Sequence, residues 1–226
     1  IEFIRLHDID FSVNWADRII IYTSSEETGL YYKSFVEDII LGLTKRGAKL
    51  IPGFDFLRAN NNKVYMEILK YQILGEEFGY YSRVYGTADE LVYDIDRDKI
   101  ISPCVIKKAE GSMSRNVFLC NNRHELVKKA KNLSRTSNYL YELKELIREV
   151  RYKGYSRESS YQGKFIIQRY IPNLHNDWKI LIYGDHYYIL NRGIRKNDFR
   201  ASGSHFRYRT GSESDFPEDL LDVVRR

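Results

Sequence analysis

Residues 188–206 read YILNRGIRKNDFRASGSHF, with Arg192, Arg195, Lys196 and Arg200 set among small and hydroxyl-bearing residues around one carboxylate, Asp198; Arg207 and Arg209 follow just beyond. Guanidinium groups this dense repel one another unless an anion binds them, and arginine's planar fork suits bidentate contacts to phosphate or carboxylate. A charge run alone also fits a solvated basic loop. The reading therefore turns on the segments around it.

Immediately upstream stands DWKILIYGDHYYILNRG, two apolar runs separated by Gly184 and Asp185. That pair predicts a two-residue hairpin turn of the glycine-first kind. In its first strand Asp177 and Lys179 share one face, while Trp178, Ile180 and Ile182 take the other. The polar face must meet water or a ligand. Before it, KFIIQRYIP reads as a buried strand ending at Pro172. Further back, residues 103–120 (PCVIKKAEGSMSRNVFLC) predict a hairpin with a long tip. Lys107 lies where its first strand runs out, and Gly111, Ser112, Ser114 and Asn116 make a donor-rich loop that can approach phosphate oxygens closely. An ordinary hairpin loop would look the same. Helices are expected over 123–133 and 139–150, and the polar stretch 151–163 as a mobile loop.

The amino-terminal part has a different pattern. RIIIY (18–22) is a β-branched run, Tyr32, Val36, Ile39, Ile40 and Leu43 recur at helical spacing until Gly47, and Lys49–Ile51 begins another strand. Strand, helix, strand opens an α/β layer. The SSEETG before the helix can cap it, but Glu26 and Glu27 would repel a phosphate, so this is no phosphate-binding glycine loop. Asn60, Asn61 and Asn62 lead into a helix whose face is Val64, Ile68, Leu69 and Ile73, with Lys63 in the first turn; alone, Lys63 reads as a solvated surface lysine. Leu74–Tyr81 reads as a connection, with a domain boundary near Gly75, and residues 85–91 as a turn and a short helix.

Composition narrows the classes. With 226 residues and 43% hydrophobic content the chain can build a sizeable core unaided, and its 2 cysteines, Cys104 and Cys120, are expected as reduced core thiols. Many of the 19 tyrosines fall inside apolar runs, which favours packing over base stacking. A net charge of +5 favours an anionic partner and leaves nucleic acid, nucleotide and acidic peptide open. No apolar run approaches the ~20 residues that cross a bilayer, and the start lacks a secretory signal pattern, so a cytoplasmic protein with no membrane partner is expected. His175, His186 and His205 receive no role.

Taken in order, a lysine opening a helix (Lys63), a strand lysine before a Gly/Ser hairpin loop (VIKKAEGSMSRNV), a hinge strand (IIQRYI), an Asp-x-basic strand (DWKI) and NRGIRKNDFRAS resemble the ATP-grasp superfamily. The likeness is nearest to ribosomal-protein glutamate ligases and covers roughly residues 18–206. It implies an α/β (α+β) ATP-grasp fold: an amino-terminal α/β domain (1–74), a lid subdomain (75–171) and the start of a carboxy-terminal subdomain (172–226), gripping ATP between the last two. It implies an enzyme that joins a small-molecule or peptide carboxylate to an amine or thiol through an acyl phosphate, with ATP and Mg2+. Carried over by position, Lys63 and Lys107 would contact the phosphates and the adenine side, and Gly111 to Asn116, with Ser112 and Ser114, would form the lid. The backbone of Gln168, Arg169, Tyr170 and Ile171 would read the adenine edge, Asp177 would meet the ribose, and Lys179 stands where relatives often carry arginine. Arg192 would lie on the phosphates, and Arg200, oriented by Asp198, would steady the acyl phosphate.

Departures from the pattern are specific. Ser114 and Asn116 stand where relatives often have glycine, and Arg169 replaces a common acidic hinge residue. The family's magnesium ligands should lie beyond residue 206, yet Glu213, Asp215, Glu218, Asp219 and Asp222 do not match them, while Phe216–Val224 looks like the helix that precedes those strands. A truncated chain is the expectation, and its isolated form would bind ATP without turning over. A phosphotransferase on the same scaffold and a non-enzymatic module binding nucleotide or nucleic acid are the rival readings, with nucleic acid disfavoured by the motif order. A homodimer is left open.

Overall fold

In a computed structural model of the chain, the described residues are 1–25, 27, 29–75, 81–111, 114, 116–194, 198–200, 208–210, 216–217 and 220–225. They divide into two compact units, Ile1–Leu69 and Lys70–Arg226.

In the first unit β1 (Ile19–Ile21) pairs in parallel with β2 (Lys49–Ile51), and α1 (Tyr31–Lys45) connects them. Helical spacing puts Val36, Ile40 and Leu43 on one stripe of α1, and all three are buried with Trp15 and Leu57. The acidic stretch before α1 does cap it: the Glu27 carboxylate accepts from the backbone N–H of Tyr32 (2.6 Å) and Lys33 (3.1 Å). Glu26 lies outside the described residues. Inside the helix Glu37 accepts from Lys33 (2.5 Å) and from Arg58 (2.5 Å), so the buried carboxylate is doubly paired. A short helix α2 (Phe54–Ala59), absent from the sequence expectation, precedes α3 (Lys63–Leu74). The expected apolar face of α3 forms as a stripe but is not buried: Ile68 is 40% and Ile73 53% exposed. The division between the units falls within this helix.

The second unit holds two sheets. The first is antiparallel in the order β3-β6-β4-β5, built from β3 (Ser82–Tyr85), β4 (Cys104–Lys108), β5 (Val117–Cys120) and β6 (Phe165–Arg169). Cys104–Ile106 and Phe165–Ile167 are buried on both faces, which is why they read as unbroken apolar runs. One face packs under α4 (Ala88–Ile95) and α5 (Arg123–Ser134), where Tyr85, Leu91, Ile106, Leu126, Phe165 and Ile167 form the core. Both cysteines sit there as free thiols directly opposite each other, and burial pushes Cys104 up to about 12 and Cys120 up to about 11. The reduced core role expected for them fits this.

Helix starts are set by side chains. Thr87 and Glu90 form a capping box on α4, Asn122 caps α5, and Asn138 caps α6 (Tyr139–Arg151). Each such cap is worth about 1 kcal/mol. The second sheet contains β7 (Asn176–Tyr183), β8 (His186–Gly193) and β9 (Tyr208–Thr210), ordered β7-β8-β9 and antiparallel; α7 (Leu220–Arg225) follows. Gly184 takes φ +58° at the first position of the β7–β8 turn, the left-handed conformation that position requires.

Candidate functional site

The second unit collects most of the sequence-predicted residues. On the face of the four-stranded sheet opposite its α4/α5 core, Lys107 and Gln168 are diagonal neighbours: Lys107 pairs across with Ile166, and Gln168 with Val105. Lys107 Nζ donates to Gln168 Oε1 at 2.5 Å. Val105 and Ile166 lie buried on the same face, so the ammonium stands at the edge of an apolar floor.

Beyond Arg169, whose backbone N–H donates to the Tyr81 carbonyl (3.0 Å), the ladder ends. Tyr170 then turns its ring edge-on to Phe199, with centroids 6.3 Å apart. The Arg169 side chain and Ile171 are exposed. The β4–β5 tip is closed at its base by Lys108 N–H donating to the Asn116 carbonyl (3.0 Å), and inside it Gly111 (φ +110°) and Ser114 (φ +58°) take left-handed conformations. Ser112 lies outside the described residues.

The arginine-rich segment meets that tip. Arg200 Nη1 donates to the Ser114 carbonyl at 3.2 Å, across 86 positions of sequence. Its other edge is held by Asp198, which accepts from Nε (2.9 Å) and Nη2 (2.6 Å), and Oδ1 of Asp198 also takes the backbone N–H of Phe199 (2.8 Å) and Arg200 (3.2 Å). The guanidinium further lies 5.8 Å from the Phe199 ring centre. The sequence motif contained Phe199 but gave it no role; its contacts with Tyr170 and Arg200 are visible only in three dimensions. Arg195, Lys196, His205 and Arg207 lie outside the described residues.

Electrostatics match this geometry. The side-chain bonds from Arg200 hold the Asp198 carboxyl below its ordinary range against the opposing effect of burial, and the same contact raises Arg200. A carboxylate whose folded pKa is depressed contributes stability that is present above its unfolded pKa and lost as pH falls through the folded value. Acid titration of the wild type is therefore expected to show destabilisation below the usual Asp range, and Asp198→Asn to remove that part of the slope. Urea midpoints measured from pH 7 to pH 3 check this; an unchanged slope in the variant would count against the clamp.

On the second sheet Asp177 and Arg192 face each other directly across β7 and β8. Arg192 donates through Nε (2.6 Å) and Nη2 (2.7 Å) to the two carboxylate oxygens. Lys179, two residues along the same face, is exposed. On the reverse face Trp178 packs edge-on against Phe216 at 5.7 Å. Lys63 opens α3 in the first unit.

Among the described residues no group of three or more His, Cys, Asp or Glu side chains converges as a metal would need. Asp177 and Asp198 are both engaged by arginines. The residues described do not themselves make a magnesium site. Also among them, no helix is long and apolar enough to cross a membrane.

No protein-family model matches the chain, and no curated protein matches it. Solved structures do. The D-cycloserine synthetase DcsG aligns with a TM-score of 0.53 at 14% identity, covering 96% of this chain and 64% of that one. The ADP complex of purK, N5-carboxyaminoimidazole ribonucleotide synthetase, aligns with a TM-score of 0.47 at 12% identity over 85% of this chain and 42% of that one. D-alanine-D-alanine ligase from Helicobacter pylori gives 0.44 at 10% identity over 84% and 48%. This chain thus spans just under two thirds of the length of DcsG, and the fold it shares with that protein is the ATP-grasp fold.

Proposed function

We propose that the chain is the ATP-binding part of an ATP-dependent carboxylate–amine or carboxylate–thiol ligase that works through an acyl phosphate and releases ADP and phosphate. The observation that carries the reading is the meeting of three distant segments at Arg200: its guanidinium is clamped by Asp198, bonded to Ser114 at the hairpin tip, and linked through Phe199 to Tyr170. A guanidinium fixed in direction beside a glycine-containing tip and a strand-end hinge suits an anion that forms during reaction. In this reading residues 1–74 precede the lid subdomain (75–171), and 172–226 begin the carboxy-terminal one.

ATP, when bound, supplies the phosphoryl group that activates the acid. The chain's own groups then have separable tasks. The backbone at Tyr170 and Ile171 offers donors and acceptors to the adenine edge, and Val105 and Ile166 the apolar floor beneath it. Lys107, Arg192 and Lys179 neutralise phosphate charge. The tip at Gly111, Ser112 and Ser114 excludes water, and Arg200 steadies the acyl phosphate. Such chemistry is mainly positioning and charge neutralisation, so it needs no protein nucleophile. Magnesium, expected for this activity, has no donor set among the described residues, and none of these tasks depends on it.

Thermal melts with and without millimolar ATP test the nucleotide half of the reading. A rise in the melting temperature with ATP is expected; no rise would overturn it. Release of ADP by the complete protein, dependent on both an acid and an amine, tests the ligase half. Phosphorylated substrate accumulating without coupling would instead identify a phosphotransferase.

A further inference from the structure

We infer that Asp177 is the positioning residue of Arg192, aiming its guanidinium at an oxyanion of the nucleotide phosphates, and not itself a ligand of the sugar. This rests on the nucleotide reading above and deepens it. The β7–β8 register sets Asp177 and Arg192 directly opposite, and both carboxylate oxygens are taken in a two-point contact at 2.6 and 2.7 Å. The arginine uses its Nε and one Nη2 hydrogen for this, the side-on edge of the fork.

What remains is the end-on edge, formed by Nη1 and the second Nη2 hydrogen. That edge is a second bidentate donor pair, and its direction is now fixed by the first. Among the described residues no hydrogen bond reaches it. Stability is a poor explanation for the pair, because the Asp177 side chain is 39% exposed and ion pairs so placed contribute little. Pre-orientation is a better one: a guanidinium already immobilised loses little further rotamer freedom when an anion arrives. Lys179 lies exposed on the same face, so the face carries two cations against one carboxylate and retains a net attraction for anions after the pair has formed. With both oxygens already accepting from Arg192, the carboxylate is a weaker acceptor for a sugar hydroxyl than an unengaged one.

The two roles differ in what they make binding depend on. A sugar ligand acts on every nucleoside, whereas an aimed arginine acts only where phosphate is present. Titration of wild type, Asp177→Asn, Asp177→Glu, Arg192→Gln and the Asp177→Asn/Arg192→Gln double variant with ATP, ADP and adenosine separates them. Asp177→Asn is expected to weaken ATP and ADP about 10-fold and to leave adenosine unchanged. Asp177→Glu should restore part of the loss, and the double variant should lose no more than Arg192→Gln alone, as groups acting as one unit do. Adenosine weakening in parallel with ATP would make Asp177 a sugar ligand and overturn the inference, as would full additivity or no effect on any ligand in a variant whose circular dichroism matches wild type. If the wild type binds neither ATP nor adenosine, the nucleotide reading itself fails and the inference falls with it. If it binds both, only the variants decide.

Discussion

Lys107→Ala is expected to abolish most of the stabilisation that ATP gives the wild-type chain, weakening nucleotide binding about 10- to 100-fold, as loss of a charge-assisted hydrogen bond does. The lysine sits at the end of β4, beside buried Val105 and Ile166, with its ammonium pointing along the sheet to Gln168 rather than into bulk water. In such partly desolvated surroundings a cation acts on a phosphate more strongly than an exposed lysine can. Lys107→Met, which keeps the stem and removes the charge, should match Lys107→Ala for ATP while melting closer to the wild type without ligand. Equal ATP shifts in wild type and both variants would remove Lys107 from the site.

Phe165→Ala carries the largest expected effect on stability, about 3–5 kcal/mol, the range for deleting a buried aromatic ring. Phe165 is fully buried in the strand between β3 and β4, and its ring stacks on Tyr85 at 5.4 Å and 24°. Phe165 shares its buried cluster with Leu91, Ile106, Leu126 and Ile167, so the void its loss would leave lies among largely apolar side chains that hold water poorly. The loss should be read in urea on the transition of the second unit, since a chain of two units need not unfold in one step. A loss under about 1 kcal/mol would mean the sheet repacks around the gap, against the usual response of close-packed cores.

Local pattern carried much of this fold into view. The strand–helix–strand opening, both long hairpins and α5 and α6 follow from periodicity and turn residues, and the acidic stretch at 24–29 proved to cap α1 through Glu27. What stayed hidden had little local signal. β3 is SRVY and β9 is YRT, each too short to display alternation, and both gain their definition from the strands they join. The position of β6 between β3 and β4 is likewise a long-range choice that no window of sequence contains. In α3 the helical period was right, but period alone does not say that a face is covered.

The arrangement of the candidate residues was legible to a similar depth. Placing a two-residue turn at Gly184–Asp185 already obliges Asp177 to oppose Arg192, because strand pairing counts outward equally from the turn. The Asp198 clamp on Arg200 is local too, spanning two residues. The contact from Arg200 to Ser114 was out of reach, since nothing in either segment encodes a backbone carbonyl's partner 86 residues away.

The separation of Lys107 from Gln168, 61 residues, has a consequence for how the second unit is assembled. The β4–β5 hairpin can form early, from contacts near in sequence, but it carries only the lysine. Gln168 arrives with β6, whose insertion between β3 and β4 must close a long loop and so comes late in folding. A ligand that bound that pair would have nothing to grip in the early hairpin. It would act on the finished sheet alone, slowing unfolding without hastening the search that builds it.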